Sequence, residues 1–224
     1  MGLVNPVSNF LQKLSLKLFA DWQVKGLENV PPMGPLIIVA NHQSNFDPPL
    51  LSTSLPRTVQ FLAKKSIFQG GPIVGWFLSS WGAFPVDREK FDIRAYRWSL
   101  DQLSRDGAIV MFPEGSRNPG RMARARPGVA QLAIKTQAPI LPVGITGTEK
   151  LGTPFRVFNP TGKIRVNIGS AFTLPEITGV TNKKLLYSIT DMIMERVAAL
   201  LPAKYRGAYK LKTTEPSVAK NSRP

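Results

Sequence analysis

The sequence contains no cysteine and a single histidine. Without cysteine the chain forms no disulfide, offers no thiolate nucleophile and cannot bind zinc or an iron–sulfur cluster through sulfur. A single histidine excludes sites that need two, including the paired-histidine helix of zinc proteases. Any acid–base chemistry that uses an imidazole must therefore go through His42, and we expect neither a metal site nor a cofactor.

Acidic residues are also scarce, with 14 Asp and Glu against 29 Lys and Arg, which gives a net charge of +15. Such an imbalance concerns the partners of a protein rather than its fold. It fits nucleic acid, an anionic membrane surface or phosphorylated substrates, and the charge alone does not choose among these three.

Long apolar runs are the third absence. No run of about 18 apolar residues occurs, so the sequence predicts no membrane-spanning helix. The first residues lack the basic region and cleavage site of a secretory signal, and Pro6 breaks the myristoylation pattern. We expect a cytoplasmic protein whose membrane contact is peripheral, on the cytoplasmic face of the membrane.

What the chain does contain is enough apolar sequence, 43% of 224 residues, for one sizeable core. Buried-type runs at 36–40, 108–112 and 140–145 alternate with helical patterns at 93–103 and 129–135. This alternation predicts an α/β fold with a central, mostly parallel sheet flanked by helices. An alternating segment at 163–169 predicts a half-exposed edge strand, and 182–201 predicts a final helix.

The predicted organisation has three parts: an amphipathic N-terminal helix over 1–22, a main domain over 23–202, and a basic polar tail over 203–224 that we expect to be disordered. Asn5 and Pro6 are a good helix start. The apolar residues that follow recur at helical spacing: Val7, Phe10, Leu11, Leu14 and Leu18. Either this face packs on the domain, or it lies in a membrane interface.

In the membrane interpretation, Leu16 and Phe19 widen the apolar face of this helix. A second segment leaves the same choice open. Residues 66–86 carry no charge, and their Trp76 and Trp81 fit either buried packing or a lipid headgroup boundary.

His42 follows the buried run at 36–40, and Asp47 lies five residues further on. The carboxyl ends of strands are where catalytic groups collect in open α/β sheets. On a straight helix five residues would separate the two side chains by about 140°, so a turn is needed to join them. A carboxylate so placed would bind one ring N–H and leave the other nitrogen as a base. The alternative is a structural histidine that caps a turn.

The segment 112–118 follows the next buried run, so it should emerge at the same edge of the sheet. Gly115 would let the backbone approach a ligand, and Arg117 can bind phosphate oxygens bidentately. The alternative is a surface turn with a weak Glu–Arg pair. Four arginines in ten residues, with no acidic residue after Glu114, favour an anion site: Arg117, Arg121, Arg124 and Arg126.

Two further segments, 82–88 and 139–143, are ordinary strand ends by spacing alone. Together the four segments resemble the glycerolipid acyltransferase family, in the family's order and over residues 24–175. The matching positions are Asn41, His42, Ser44 and Asp47; Gly82, Phe84 and Arg88; Phe112 to Arg117; and Ile140 to Val143. Pro85 departs from the pattern, because the family usually has an aliphatic residue there.

The resemblance implies transfer of a fatty acyl group from an acyl-CoA or acyl carrier protein thioester to the free hydroxyl of 1-acylglycerol 3-phosphate, giving phosphatidic acid. It implies a lysophospholipid acceptor and an acyl thioester donor as partners, and the net positive charge adds an anionic membrane surface. The implied roles are His42 as the base and Asp47 as the residue that orients it. Arg88, Arg117 and Lys64 would clamp the phosphate, Glu114 and Gly115 would position the glycerol, and Ser116 is a further substrate-binding residue.

Three alternatives stay open. A sibling acyltransferase would accept glycerol 3-phosphate or another lysophospholipid. A non-catalytic lipid-binding protein would keep the fold alone. A nucleic-acid-binding protein would fit the charge, but the aromatic residues lie in apolar runs rather than among the arginines, which is unlike a base-stacking surface. We therefore expect no nucleic-acid partner.

Overall fold

The computed structural model describes residues 4–89, 91–151, 156, 159–177 and 182–210. One sheet has the strand order β1-β7-β6-β2-β5-β3-β4. Its strands are β1 Ala20–Lys25, β2 Leu36–Ala40, β3 Gln60–Lys64, β4 Ala83–Val86, β5 Ala108–Met111, β6 Ile140–Thr146 and β7 Gly162–Ile168. The α-helices are α1 Val4–Phe19, α2 Asp47–Ser54, α3 Lys65–Phe68, α4 Pro72–Trp81, α5 Ile93–Ser104, α6 Gly128–Thr136 and α7 Lys183–Ala199.

β2 lies at the centre of the sheet, where it pairs in parallel with β5 and β6, and all five of its residues are buried. Successive side chains of a strand point to opposite faces. Leu36 and Ile38 accordingly join one core cluster with α1 and α2, whereas Ile37 and Val39 join a second cluster with α5, α6 and α7. Helices on both faces bury this wholly apolar strand, as the sequence predicted.

The mostly parallel sheet is confirmed, because only the β6–β7 pair is antiparallel among the described strand pairs. The prediction that 163–169 forms an edge strand is wrong. β7 lies between β6 and β1, and β1 forms the edge. The reason is that residues 20–25 leave the N-terminal helix and pair with β7 in parallel, with Asp21, Gln23 and Lys25 pointing to solvent.

α1 is confirmed as a helix, but its apolar face points away from the domain. Val7, Phe10, Leu11, Leu14, Leu18 and Phe19 are exposed, while the buried residues are Asn5, Gln12, Ser15 and Leu16. Polar bonds attach the helix: Asn9 Nδ2 donates to the Ser52 carbonyl at 3.2 Å, and Asn5 Nδ2 donates to the Trp81 carbonyl at 2.8 Å. Packing of the apolar stripe on the domain is therefore the wrong alternative. Leu16, predicted for the outer face, belongs to the core.

The two tryptophans of the uncharged segment differ. Trp81 is buried and stacks on Phe61 with ring centroids 4.8 Å apart, whereas Trp76 is 62% exposed. Its neighbours Ile73 and Phe77 on α4 are exposed as well. In the described part of the chain, no helix combines the length and apolar character needed to cross a membrane.

The predicted boundary of the C-terminal tail is also corrected. Residues 203–210 pack on the domain, with a short 3-10 helix at Ala203–Tyr205 and with Tyr205 and Tyr209 buried. The Tyr205 carbonyl accepts the Met122 N–H at 2.9 Å, and the Met122 carbonyl accepts the Ala208 N–H at 3.0 Å. Two buried tyrosines thus order this part of a segment that its polar composition assigned to disorder. The rest of the predicted tail, 211–224, lies outside the described residues.

Candidate active site

A turn between β2 and α2 joins the predicted His–Asp pair. The Asp47 N–H donates to the Ser44 carbonyl at 3.2 Å, and the Phe46 N–H donates to the Ser44 hydroxyl at 3.2 Å. Two prolines at 48–49 then occupy the first turn of α2, where the missing N–H groups would have no helical partner. The turn brings His42 Nδ1 to 2.8 Å from Asp47 Oδ2.

The imidazole of His42 is held in one orientation. The side chain is 6% exposed, and the ring stacks on Phe112 at a centroid distance of 4.3 Å and an interplanar angle of 25°. Because Asp47 accepts at Nδ1, that nitrogen carries the proton of the neutral ring. Among the residues that the structure describes, none makes a hydrogen bond to Nε2. This nitrogen can therefore take a proton from a substrate.

The Asp47 carboxylate is fully buried and surrounded by donors. Besides His42, Oδ2 accepts the backbone N–H of Gln43 at 2.6 Å and that of Ser44 at 2.8 Å. Oδ1 accepts the hydroxyl of Thr148 at 2.6 Å. These hydrogen bonds offset the cost of burying a carboxylate away from water. The sequence did not single out Thr148, because no local spacing connects two residues 101 positions apart.

Glu114 is buried and serves as a link between loops. Its Oε1 accepts the backbone N–H of His42 at 2.9 Å, and its Oε2 accepts Asn118 Nδ2 at 2.8 Å and the Ala123 N–H at 2.7 Å. Burial raises the pKa of Glu114 to about 7 against these donors, and the charge of Asp47 adds to the rise. These contacts favour a role in holding the site over the predicted direct contact with glycerol.

The backbone around His42 is tied to both neighbouring strands. The His42 carbonyl accepts the Asn118 N–H at 2.7 Å, which joins it to the loop after β5. On the other side, Asn41 exchanges two hydrogen bonds with the backbone of Ile145 in β6, at 2.7 and 2.9 Å. Gln43 also contacts both sides, since it donates to Ile145 and accepts from Gly120. Gln43 was not predicted as part of the site.

Three arginines form a positive cluster beside this loop. Arg88 Nη1 donates to the Gly115 carbonyl at 3.1 Å, and Arg126 donates to the Arg88 carbonyl. Burial lowers the pKa of Arg88, and the nearby charges of Arg126 and Arg117 add to the effect. An anion bound among these guanidinium groups would favour their charged forms and so offset the effects of burial and of charge repulsion on the pKa of Arg88. Arg126, which the sequence placed only in the arginine-rich stretch, thus joins the predicted Arg88 and Arg117.

Gly115 permits this close arrangement. Its φ of +73° lies in the left-handed region, and a Cβ there would lie 3.1 Å from Arg126 Nε. Glycine alone adopts this conformation freely and leaves room for the guanidinium. The neighbouring Ser116 is exposed, and its carbonyl accepts Asn118 Nδ2 at 3.0 Å. The predicted role of Ser116 in substrate binding stays a prediction.

The remaining basic residues differ in their position. Lys64 ends β3 opposite Val86, two residues before Arg88, and its side chain is exposed. Its role at the phosphate stays a prediction. Arg124 does not join the anion site as the arginine-rich stretch suggested, because it faces Asp191 of α7 at 3.5 Å. A search of the described residues finds no group of three potential metal ligands.

A cavity of about 440 Å³ begins beside the arginine cluster and Phe112. Most of its wall is apolar and comes from β3, β5, the loop before α5, α5 and α6. Its lining includes Leu62, Phe91, Tyr96, Met111, Phe112 and Leu132. Charged residues of both signs also line the cavity, among them Arg88, Arg126, Asp87 and Glu89. A mostly apolar wall with a few charged groups suits an amphiphilic ligand.

Comparisons with known proteins agree with this geometry. A family model described as Acyltransferase matches residues 21–146, which is more than half of the chain. The sequence is 30% identical over 149 residues to the chloroplastic 1-acyl-sn-glycerol-3-phosphate acyltransferase BAT2 of Brassica napus, covering 65% of this chain and 43% of that protein. It is 26% identical over 189 residues to the 1-acyl-sn-glycerol-3-phosphate acyltransferase of Bacillus subtilis, covering 84% and 92%.

The fold is also that of a solved relative. The crystal structure of the 1-acyl-sn-glycerophosphate acyltransferase PlsC from Thermotoga maritima matches with a TM-score of 0.67 and 28% identity, over 86% of this chain and 77% of that one. The chain belongs to the acyltransferase family. It spans less than half the length of the plant relatives that it matches.

Proposed function

We propose that the protein transfers a fatty acyl group from a thioester to the free hydroxyl of 1-acylglycerol 3-phosphate, forming phosphatidic acid. The observation that carries the proposal is the His42 imidazole held by Asp47 at 2.8 Å, next to the arginine cluster and the apolar cavity. A base, an anion site and an apolar cavity are the three features that acylation of a phosphorylated lipid needs. Relatives of high coverage carry the corresponding name.

His42 acts as the general base in this proposal. Nε2 removes the proton of the acceptor hydroxyl as its oxygen attacks the thioester carbonyl carbon. The tetrahedral intermediate then collapses, the carbon–sulfur bond breaks, and the protonated imidazole returns its proton to the leaving sulfur. The substrate hydroxyl takes the place of an enzyme nucleophile, so no acyl-enzyme forms and neither cysteine nor a serine elbow is needed. Asp47 holds the ring and stabilises the imidazolium.

Arg88, Arg117 and Arg126 bind the acceptor phosphate in this proposal. Arg88 and Arg126 are already connected through the loop backbone, so the cluster is ordered before the substrate arrives. Guanidinium groups bind phosphate oxygens through charge-assisted, bidentate bonds. Lys64, at the next strand end, would add a further positive charge. The donor is acyl-CoA or acyl carrier protein.

The exposed apolar residues of α1 and α4 support peripheral attachment to a membrane. α1 buries Asn5, Gln12 and Ser15 against the domain and exposes an apolar face that contains Phe10 and Leu14, as a helix lying in a lipid interface does. Lys13 and Lys17 are exposed on the same helix. With a net charge of +15, an anionic surface such as the cytoplasmic face of a membrane is the expected partner.

A panel of acceptors tests the proposal. The purified full chain is incubated with acyl-CoA or acyl carrier protein thioester and lysophosphatidate, glycerol 3-phosphate or lysophosphatidylcholine, and products are identified by mass spectrometry. We expect phosphatidic acid as the main product. Acylation of glycerol 3-phosphate or lysophosphatidylcholine instead would identify a sibling acyltransferase. Binding of lipid without product from any donor would identify a non-catalytic protein and contradict the proposal.

A further inference from the structure

Thr148 is the one described side chain that contacts the Asp47 carboxylate from outside the β2–α2 turn. Its hydroxyl donates to Oδ1 at 2.6 Å, and both residues are fully buried. Oδ2 carries the other bonds of the carboxylate, to His42 and to the backbone of the turn. The Thr148 bond therefore fixes the rotation of the carboxylate group about its Cβ–Cγ bond, and with it the direction in which Oδ2 faces the imidazole.

The turn that carries Thr148 is rigid for reasons unrelated to the substrate. Gly147 has a φ of +94°, and a Cβ there would lie 1.9 Å from the Lys163 carbonyl oxygen, so only glycine fits. Glu149 Oε2 accepts the Gly147 N–H at 2.8 Å, and Glu149 Oε1 accepts the Tyr205 hydroxyl at 2.6 Å. The backbone that carries Thr148 is thus linked through Glu149 to Tyr205 of the C-terminal segment.

We infer that Thr148 is a positioning residue for the His42–Asp47 pair, acting through Asp47 without touching a substrate. The inference rests on the proposed function, in which His42 becomes an imidazolium as the acceptor hydroxyl attacks. Asp47 must then be ionised and aimed at Nδ1. A hydroxyl that donates to the distant oxygen stabilises this charge and this orientation together.

Three variants separate this role from simple packing. Thr148→Val keeps the shape and removes the hydroxyl, while Thr148→Ser keeps the hydroxyl and removes a methyl group. Thr190→Val is the matched control, because Thr190 is also fully buried and its hydroxyl donates to a backbone carbonyl of α7 at 2.8 Å. We expect Thr148→Val to lower kcat about tenfold or more, as loss of a hydrogen bond to a charged group does. KM for both substrates should change less than about twofold, with Thr148→Ser and Thr190→Val near the wild-type kcat.

The pH profile gives a second readout that packing would not move. With one donor fewer on the Asp47 carboxylate, the remaining interaction with the imidazolium strengthens, so the acid limb of the kcat profile should move to higher pH. Glu114, on the loop after β5, is the other acidic group that the structure places against the pair, and Glu149 faces Tyr205 from the Thr148 turn. Both groups remain in the Thr148 variants, so the wild-type profile is the correct reference.

Either of two results would overturn the inference: a wild-type kcat and acid limb in Thr148→Val, or an equal loss in Thr148→Ser. If Thr148→Val does not fold, Tyr205→Phe replaces it. That variant removes the bond to Glu149, and we expect kcat to fall about twofold to threefold at unchanged KM. An unchanged kcat in Tyr205→Phe would overturn the inference.

The variant His42→Ala distinguishes failure of this inference from failure of the proposed function. Full activity in His42→Ala contradicts the proposed function, whereas an inactive His42→Ala beside a normal Thr148→Val contradicts only the role of Thr148.

Discussion

At the scale of single residues, the site contains ionisable side chains whose surroundings disfavour their charged forms. Arg88 is half-buried among other guanidinium groups, and Glu114 is buried beside Asp47. Burial shifts each of these groups towards its neutral form, raising the pKa of Glu114 and lowering that of Arg88. Shifted groups of this kind are common at functional sites, because a ligand or a reaction supplies the missing opposite charge.

Arg88→Ala tests the anion site. Loss of the guanidinium should raise the KM for the phosphorylated acceptor about tenfold or more, since a hydrogen bond to a charged group is lost. KM for the acyl donor should change less than about twofold. Initial rates over a range of both substrates provide the two constants.

Arg105→Ala is the control for overall charge, because Arg105 pairs with Asp101 on the surface of α5 and carries the same charge. It should leave both constants near the wild-type values. A change confined to the donor KM of Arg88→Ala would contradict the phosphate assignment.

Glu114→Gln tests the raised pKa. The folded state holds the Glu114 proton up to pH about 7, whereas an ordinary carboxyl releases it near 4.5. Because the folded state binds more protons in this window, its stability falls as pH rises from about 4.5 to 7. The fall attributable to Glu114 is up to about 3 kcal/mol.

Urea unfolding of the wild type and of Glu114→Gln at pH 5 and pH 8 measures this contribution. The free energy of unfolding of the wild type should decrease relative to that of the variant between the two values. Parallel changes in both proteins would show that Glu114 is an ordinary, ionised carboxylate throughout.

At the scale of elements, α1 is the unusual one. Most of its apolar residues face outward, and three of its four buried residues are polar, opposite to the usual amphipathic helix of a globular protein. α4 beside it also exposes large apolar side chains, including Trp76. Contiguous exposed apolar surfaces mark interaction sites, and a lipid surface is the partner that fits the proposed function.

Replacing both Phe10 and Leu14 by Ser tests the outer face of α1. Each exposed apolar side chain is worth about 1 kcal/mol or more in an apolar environment, so binding to vesicles of phosphatidylglycerol and phosphatidylcholine should fall at least about tenfold. Co-sedimentation measures the bound fraction. Met33→Ser is the control. Met33 is exposed on the loop that precedes β2, whereas His42 follows the other end of that strand. Equal binding by wild type and the double variant would contradict membrane attachment through this face.

At the scale of the whole molecule, the central sheet was predictable and its edge was not. Continuous apolar runs such as 36–40 are typical of strands buried on both faces, which is why β2, β5 and β6 and their helices could be placed. β1 mixes polar and apolar residues and follows α1 with no intervening loop, so its start is not marked in the sequence. Its partner β7 lies about 140 residues away along the chain. A pairing of that range leaves no local trace in the sequence.

In the site, too, contacts between distant loops could not be predicted from the sequence. The proximity of His42, Asp47 and Arg117 could be predicted, because these residues follow strands whose carboxyl ends share one edge. Arg88 was expected there only through the family resemblance. The contact of Thr148 with Asp47 and the turning of Arg124 towards α7 depend on side-chain directions in separate loops. The outward face of α1 was likewise one of two alternatives, because periodicity shows that a helix has an apolar face but not where that face points.

The most direct test of the account is the rate of thiol release by His42→Ala, measured with acyl-CoA and lysophosphatidate. We expect the rate to fall at least about 10²-fold, because the acceptor hydroxyl loses its general base. Thermal unfolding and lysophosphatidate binding should stay near wild-type values, since the Arg88 cluster does not depend on the imidazole. Turnover close to that of the wild type in a folded His42→Ala protein would contradict the central claim that His42 activates the acceptor hydroxyl.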